Sequence, residues 1–388
     1  MKQIIAFLVF WISFLSCQSE EINIYTQHVK EISKNKDGWN LVWSEEFEQE
    51  SNIPNTKSWS LAAKEASPWN RYMSESYDQA YVKDGKLYLI AEKKDGEYKT
   101  GGVWTMDKVG FKYGKLEVCA KFTSFQGGWA AIWLMPQERQ YPSVNNSYPG
   151  EIDIMEMIGA ENEDLNGKSN KKVYQTLHAG SVADVDHSKS VSTYTLPEGI
   201  FNDDYHIFGV DWSKNKLEFY VDDKIVGSFD YGDNEEYKRC FNRPQYIQMN
   251  LATGGNWAGD AGNDLAGQKY EVDYVYYGQN AQQKADSEEY YKNAIKISGE
   301  HDVTMTEGEM PNLLEGVTSD QDSILDYSID NEYSFKSKGG LTSVDLVCSG
   351  KNDKQSLKKL KPGKYNLYYT ARSSTDSTKP STRRAVIL

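Results

Sequence analysis

Cysteine and histidine are scarce in this chain. Its 388 residues include 4 Cys and 5 His, and no Cys or His pair has the spacing of a zinc site, so a transition-metal site finds no support. After Cys17 the remaining cysteines are odd in number and far apart, which excludes a disulfide framework. We expect Cys119, Cys240 and Cys348 to be buried thiols.

Positive charge is also in deficit. Lys and Arg number 43 against 57 Asp and Glu, which gives a net charge of −14. Because binding to a phosphate backbone rests on clustered cations, the composition argues against a nucleic-acid partner. Hydrophobic residues make up 39% of the chain, and its length favours two or three folded domains over a disordered or fibrous protein.

The apolar run at the N-terminus is too short for a membrane anchor. It extends from Ile4 to Leu15, about half of the roughly 20 residues that a membrane-spanning helix needs, and therefore indicates an export signal. Its end, Phe14-Leu15-Ser16-Cys17, resembles a bacterial lipoprotein signal, with Phe14 where a Leu is usual. The alternative is an ordinary secretory signal with an incidental Cys.

The next four residues, Gln18-Ser19-Glu20-Glu21, resemble the acidic export tag that Bacteroidetes-type bacteria place after a lipidated Cys. Together these resemblances imply a signal peptide at 1–17, a lipid on Cys17 and a protein held on the outer face of the outer membrane. The lipid anchor would then be its only contact with the membrane.

Aromatic residues are abundant, with 27 Tyr, 13 Phe and 10 Trp. Such an excess of Trp indicates either large β-sheet cores or flat surfaces for ligand stacking, and composition does not separate the two. Short runs with β-branched and aromatic enrichment and partial period-2 alternation predict an all-β fold, an antiparallel sandwich or barrel. The clearest runs are Gln79–Val82, Lys86–Ala91, Lys115–Lys121, Lys216–Val221 and Tyr270–Val275.

The distribution of Trp marks a domain boundary. All ten Trp lie at or before Trp257, and the composition changes from Ile295 onward. The last segment, 295–388, resembles a bacterial Ig-like module, which implies a small β-sandwich with a spacing or presenting role. The expected divisions are a polar linker at 18–38, a first domain at 39–279, a linker or short helix at 280–294, and the Ig-like domain at 295–388.

The segment Gly150–Gly159 combines an apolar strand pattern with three acids. In a regular strand Glu151 and Asp153 share a face, and Glu156 lies on the opposite one. One extra residue, a β-bulge around Ile154-Met155, returns Glu156 to the face of the other two acids. We therefore expect three carboxyl groups on one side of a bulged strand.

Three clustered acids are costly, because burying or crowding carboxylates is unfavourable. Glycoside hydrolysis uses such a cluster, since one ionised carboxylate attacks or stabilises the sugar carbon and a protonated one donates to the leaving oxygen. The retaining reaction needs carboxyls about 5–5.5 Å apart, a distance that the bulge and the lean of the side chains must produce. A solvated acidic strand face or a calcium site is the alternative.

The bulged E-x-D-x-x-E pattern and its flanks resemble glycoside hydrolase family sixteen in its laminarinase-like branch. The resemblance extends from about Trp39 to Gly278 and includes Gly127–Pro136 before the acids, Gln175–His178 after them, and Asn250–Trp257. It implies a β-jelly roll whose concave sheet forms an open glycan cleft.

By position, the resemblance also implies roles for individual residues. Glu151 would be the nucleophile, Asp153 the helper and Glu156 the general acid/base, with His178 in support. The substrate-binding residues would be Trp129, Trp133, Asn256 and Trp257, with Asn70 and Arg71 on the non-reducing side. The alternatives to substrate binding are core packing for these tryptophans and a surface-loop position for the Arg.

No cofactor is expected for catalysis. Many members of the family nevertheless bind a structural calcium through an early acid, a backbone carbonyl and a late Asp. Glu46, Gly85 and Asp273 match those places in this chain, and oxygen ligands suit calcium.

The resemblance thus implies a monomeric, endo-acting, retaining β-glycosidase with a polysaccharide or glycan substrate. The laminarinase-like Gly254–Trp257 favours β-1,3- or mixed-linked glucan. Trp69–Met73 departs from the laminarinase pattern, so an endo-β-galactosidase of mucin-type O-glycans or red-algal galactans stays open. A non-catalytic surface glycan-binding protein is the third alternative, and the three intact acids count against it.

Overall fold

The structure is a computed structural model that describes residues 38–106, 108–137, 150–159, 169–181, 184–263, 265–309, 311–331, 346–349, 360, 362–363, 365–373 and 382–387. Cys17, with the predicted signal peptide, lies outside these residues, so its lipidation stays a prediction. Cys119 and Cys240 are buried thiols, as expected, whereas the side chain of Cys348 is outside the described part. No helix in the described ranges is long and apolar enough to cross a membrane.

Antiparallel strands build the described part of the first domain, which confirms the all-β fold class there. A short helix, α1 (Glu235–Phe241), precedes the last two strands. In chain order the strands are β1 Asn40–Glu45, β2 Ser60–Leu61, β3 Ala80–Lys83, β4 Lys86–Lys94, β5 Glu97–Thr100, β6 Gly102–Trp104, β7 Gly114–Phe122, β8 Gly128–Pro136, β9 Glu151–Ile158, β10 Lys172–Ser181, β11 Asp184–Thr195, β12 His206–Trp212, β13 Lys216–Val221, β14 Lys224–Asp230, β15 Gln245–Thr253 and β16 Gln268–Gln279.

These strands form two sheets. One has the order β14-β13-β12-β7-β16-β4-β3, with β1 also paired to β16 and β5 to β4. The other has the order β11-β10-β9-β8-β15-β6-β2, and it carries the acids on β9 near its centre. A single apolar core joins side chains from both sheets, among them Val118 of β7, Ile132 of β8 and Val272 of β16. The packing is that of a sandwich, in which each sheet buries one face against the other.

Strand β9 contains the bulge that the spacing of its acids predicts. Against β8, Ile132 pairs with Met155 and Trp133 pairs with Asp153, so one residue of β9 is left over. The same extra residue interrupts the register against β10. It lets the strand bury Ile152 and Met157 in the core on one side while its three acids share the other side.

A glycine ends β9 where two backbones meet. A Cβ on Gly159 would lie 1.6 Å from the carbonyl oxygen of Phe125, so any larger residue would push the two segments apart. The amide of Gly159 donates to the carbonyl of Gly128 at the start of β8. This close approach ties the end of the acidic strand to its neighbour.

The stretch expected to be a linker or short helix is the helix α2 (Ala281–Lys292). Asn280 and Gln283 form a reciprocal capping box at its first turn. The buried amide of Gln283 also donates to Asp211 and to the carbonyl oxygen of Trp212, both on β12. Helix α2 therefore packs on the first domain rather than extending freely from it.

The described part of the C-terminal segment is also made of strands. They are β17 Ile297–Ser298, β18 Thr318–Ser319, β19 Ser323–Asn331, β20 Leu346–Ser349, β21 Tyr365–Ser373 and β22 Thr382–Ile387. The last four form one sheet in the order β20-β19-β21-β22, and the first two pair with each other. Ile329, Leu367 and Tyr369 are fully buried in a core distinct from that of the first domain.

Candidate active site

The three acids of β9 lie in a cleft on the face of the seven-stranded sheet that points away from the core. Period-2 alternation on the neighbouring strands supplies the rest of the lining. The cleft has a volume of about 330 Å³ and is lined by Trp69, Trp129, Ala131, Trp133, Glu151, Asp153, Glu156, Thr176, His178, Asn250 and Trp257.

Asp153 is the most buried of the three acids, with 2% of its surface exposed, whereas the side chain of Glu151 is 28% exposed. Burial raises the pKa of Asp153 well above its usual range, and the negative charge of Glu156 adds to this, while a hydrogen bond with Glu151 acts in the opposite direction. Two carboxyl groups share a hydrogen bond only with a proton between them. Because ionisation costs more at the buried position, Asp153 is the acid of the pair that burial drives most strongly toward the protonated form.

Glu156 is half-buried and is held by an indole. The Nε1–H of Trp129 donates to its Oε1 at 3.0 Å. Burial raises the pKa of Glu156 to about 7, the charge of Glu151 raises it further, and the hydrogen bond from Trp129 and the proximity of His178 lower it. At neutral pH the cleft thus holds, in Glu156, a group that can both give and take a proton.

His178 lies beside the first two acids. It sits on β10 directly opposite Glu151, and its Nε2 is 3.3 Å from Asp153 Oδ2 and 3.9 Å from Glu151 Oε1. The ring therefore lies within ion-pair distance of both carboxyl groups. One ligand atom from each of these three residues lies within 4.8 Å of the others, but an imidazole is not a calcium ligand, and calcium takes six to eight oxygens.

The two tryptophans of β8 flank Ala131, and each donates its indole N–H to a neighbour. Trp129 binds Glu156, whereas Nε1 of Trp133 donates to Asn250 Oδ1 at 2.8 Å. Trp133 is 7% exposed, and Trp69 packs edge-on against it at 5.0 Å between ring centroids. The small Ala131 leaves an open floor between the two rings.

Trp257 offers the most exposed ring of the cleft. Its side chain is 37% exposed, and its ring stands perpendicular to Trp129 at 5.4 Å and to Tyr174 at 5.2 Å. Sugar rings present an apolar C–H face, and a flat indole matches it. Of the three tryptophans predicted to bind substrate, Trp129, Trp133 and Trp257, the last is therefore the best placed to stack on a ligand.

Three other residues predicted to bind substrate do not line the described cleft. Asn70 is 1% exposed and donates to Glu65. The guanidinium of Arg71 lies over the ring of Tyr72, 4.9 Å from its centroid. Asn256 is exposed in the turn after β15. Their contacts with substrate stay predictions.

Four residues of the cleft were not predicted as site residues, namely Trp69, Ala131, Thr176 and Asn250. Ala131 and Thr176 follow from period-2 alternation with Trp129 and His178, so the signal was present in the sequence. Asn250 is the most informative of the four. Its Oδ1 accepts from Trp133, and its buried Nδ2 has no hydrogen-bond partner among the described residues. It thus lines the cleft with a donor suited to a hydroxyl oxygen.

The positions expected to bind calcium lie on the other sheet. Tyr276 donates to Glu46 Oε1 at 2.9 Å, and both Glu46 and the buried Asp273 raise the pKa of that tyrosine in addition to burial. Gly85 lies in the turn before β4, two residues from Leu87, which pairs with the neighbour of Asp273 in β16. The described structure thus places Glu46 and Asp273 beside Tyr276. It also places the turn at Gly85 close to Asp273.

Comparison with known proteins gives one family. Residues 66–276 match the model of the glycosyl hydrolases of family 16. The chain is 31% identical over 250 residues to the keratan-sulfate endo-1,4-β-galactosidase of Sphingobacterium multivorum, and 29% identical over 271 residues to the glucan endo-1,3-β-glucosidase A1 of Niallia circulans. Each match covers 61% of this chain, which spans only 54% and 37% of the length of those relatives.

A solved structure with the same fold is the catalytic domain of an endo-1,3-β-glucanase (laminarinase) from Thermotoga petrophila RKU-1. It is 28% identical, with a TM-score of 0.51, and the match covers 63% of this chain and 98% of that domain. The sandwich of the first domain is thus jelly-roll-like, as in that laminarinase.

Proposed function

The chain belongs to family 16 of the glycosyl hydrolases, and we propose that it is an endo-acting, retaining β-glycosidase that cleaves internal bonds of a polysaccharide. The observation that carries this proposal is the arrangement on β9, where Glu151, Asp153 and Glu156 share one face at the floor of a tryptophan-lined cleft. A binding protein needs the aromatic rings but not three acids, one of them buried at considerable cost.

The first step divides the work between two acids. The ionised Oε of Glu151 attacks C1 of the sugar, the bond from C1 to the leaving oxygen breaks, and Glu156 transfers its proton to that oxygen. Asp153 shares a hydrogen bond with Glu151, and the ring of His178 lies 3.3 Å from Asp153 Oδ2. The result is a glycosyl ester on Glu151 and an ionised Glu156.

The second step reverses these roles. Glu156, now a base, takes a proton from a water whose oxygen attacks C1, and the bond to Glu151 breaks. Both steps invert C1, so the product keeps the β-configuration. A pKa of about 7 suits a group that must be protonated in one step and ionised in the next.

For the substrate we favour a β-1,3- or mixed-linked glucan. Likeness to the Thermotoga laminarinase and to the Niallia glucanase supports this preference. A second candidate is a β-galactoside, as in mucin-type O-glycans or red-algal galactans, and the 31% identity to the keratan-sulfate endo-galactosidase supports it. The two substrate classes share the chemistry at C1 and differ in the hydroxyls that the cleft must bind.

Beyond the catalytic domain we propose an Ig-like fold for 295–388, because its described strands enclose a core of their own. We also propose that Cys17 carries a lipid that holds the protein on the outer face of the outer membrane, on the strength of the signal-like N-terminus.

We expect Glu151→Gln and Glu156→Gln each to lose at least about a thousandfold in kcat, because each removes a group that acts directly on the bonds that change. Glu97→Gln, which alters an exposed acid of β5, is the control and should keep full activity. Circular dichroism and thermal melting verify that all three variants fold. Wild-type turnover by either cleft variant would overturn the assignment of these acids.

Azide distinguishes the two acids. In Glu151→Ala it fills the place of the nucleophile and should give a glycosyl azide of inverted configuration, whereas in Glu156→Ala it attacks the glycosyl enzyme and should give the retained β-azide. Proton NMR of the product identifies the anomer. The opposite pattern would exchange the two roles.

Incubation with laminarin, mixed-linked glucan, agarose, porphyran, keratan sulfate and mucin glycans identifies the substrate. We expect laminarin or mixed-linked glucan to yield short oligosaccharides early, which chromatography resolves and which indicates internal cleavage. Cleavage of the β-galactoside substrates alone (agarose, porphyran, keratan sulfate or mucin glycans) would establish the second candidate. Failure to cleave any of these glycans would contradict the proposed activity.

For Glu46, the carbonyl of Gly85 and Asp273 we propose a structural calcium site, because two carboxylates and a carbonyl form an all-oxygen donor set. Millimolar calcium should then raise the melting temperature by several degrees relative to EDTA, since a ligand that binds the folded state stabilises it. Asp273→Asn should remove this difference, and Asp95→Asn, an exposed acid, should keep it. Equal melting temperatures in calcium and EDTA would exclude the site.

Metabolic labelling with a clickable fatty acid tests the anchor. The full-length protein should incorporate the label and partition into the detergent phase, and Cys17→Ala should do neither. Cleavage of the tagged protein by protease added to intact cells would support the outer face. A full-length protein that takes up no fatty-acid label and is found in the periplasm would contradict the proposal.

A further inference from the structure

Trp129 does more than line the cleft, and its second role rests on the proposed function. We propose that Trp129 is a positioning residue that gives the two oxygens of Glu156 separate tasks. Its indole N–H occupies Oε1, so the proton that Glu156 exchanges with the leaving oxygen and with water is carried by Oε2. The bond between Trp129 Nε1 and Glu156 Oε1 is 3.0 Å long.

The indole of Trp129 is a donor and never an acceptor. In a protonated carboxyl group the carbonyl oxygen is a better hydrogen-bond acceptor than the hydroxyl oxygen, which has given one lone pair to the proton. If the carboxyl group turned over while protonated, the N–H of Trp129 would meet the weaker acceptor. The hydrogen bond therefore favours one of the two protonated forms of Glu156, the one with its proton on Oε2.

The packing around Trp129 keeps its N–H in this place. Strand pairing sets its backbone between Ile158 of β9 and Ala252 of β15. Its ring meets Trp257 edge-on at 5.4 Å, and a Cβ on Gly255 would lie 3.9 Å from its Cζ3. The indole thus packs against the ring of Trp257, and the backbone of Gly255 in the turn after β15 leaves little space beside it.

The same contact serves both steps of the proposed reaction. In the first step Oε2 delivers its proton to the leaving oxygen, and the new carboxylate keeps its bond to the N–H, which stabilises the negative charge. In the second step Oε2 takes a proton from the attacking water while Oε1 stays bound. The carboxyl group therefore need not rotate between the two transfers.

Trp133 provides a matched control. It lies on the same strand and the same face, four residues further on, and its indole N–H also binds a residue of the cleft. Its acceptor, however, is Asn250 and not an acid. Replacing either Trp by Phe removes one indole N–H from the cleft, but only one of the two changes removes a donor to Glu156.

The test is the titration of Glu156, which is monitored by NMR of protein labelled with ¹³C at the Glu carboxyl carbons. The signal of Glu156 is the one absent from Glu156→Gln. In the wild type it should titrate near pH 7. Because the N–H stabilises the ionised form, its loss in Trp129→Phe should raise this midpoint by about one pH unit, and Trp133→Phe should leave it in place.

Activity supplies the second readout. The general acid must be protonated in the free enzyme, so the alkaline limb of kcat/KM should move upward by the same amount in Trp129→Phe and stay in place in Trp133→Phe. Trp129→Phe should also lose more activity on a natural glycan than on an aryl glycoside whose leaving group needs no proton. A merely structural role would lower both activities alike and leave the limb where it was.

Wild-type titration of Glu156 in a folded Trp129→Phe variant would overturn the inference. Should that variant not fold, β-(3-benzothienyl)alanine at position 129 keeps the shape of the ring, replaces N–H by sulfur and should give the same shift. The NMR measurement needs no substrate. If the wild type cleaves no glycan, the proposed function fails while the titration still decides the role of Trp129.

Discussion

The extra residue in β9 is the constraint on which the site depends. A strand alternates its side chains strictly, so without the bulge Glu156 would lie in the apolar core and Met155 in the cleft. With the bulge, the strand buries Ile152, Ile154, Met155 and Met157 and still presents three acids to one side. The hydrophobic core and the acidic cluster thus both depend on this one irregularity. It keeps the apolar side chains of β9 on the core side and the acids on the cleft side.

Burial then separates the charges of these three acids. Identical carboxyl groups close together would compete for protons, but their exposure differs, and the most buried one, Asp153, is the one for which ionisation costs most. Burial raises the pKa of Asp153 well above its usual range. Glu156 titrates near neutral pH because burial and the charge of Glu151 raise its pKa while the hydrogen bond from Trp129 lowers it. Two acids of one strand, Asp153 and Glu156, therefore differ in protonation through their surroundings alone.

Much of this could be predicted from the sequence, because the relevant signals are local. Period-2 alternation predicted strands such as Lys216–Val221, whose bounds agree with β13, and the spacing of the acids required a bulge. The contacts of Trp129 with Glu156 and of Trp133 with Asn250 could not be predicted in this way. They join different strands, and their partners follow from sheet order and from rotamers, about which a local pattern carries no information.

The aromatic excess shows how much such contacts matter. Stacking on sugar rings and packing in a core both use the faces of an indole, and the sequence offered only these two roles for Trp129 and Trp133. In the structure the edges matter as well, because each N–H binds a polar group that the cleft would otherwise bury at a cost. An indole on the wall of a cleft can therefore present an apolar face to a sugar and a fixed donor to a neighbouring side chain. Leu or Phe would supply only the first of these functions. This explains why tryptophan, despite its size, occupies both positions beside the small Ala131.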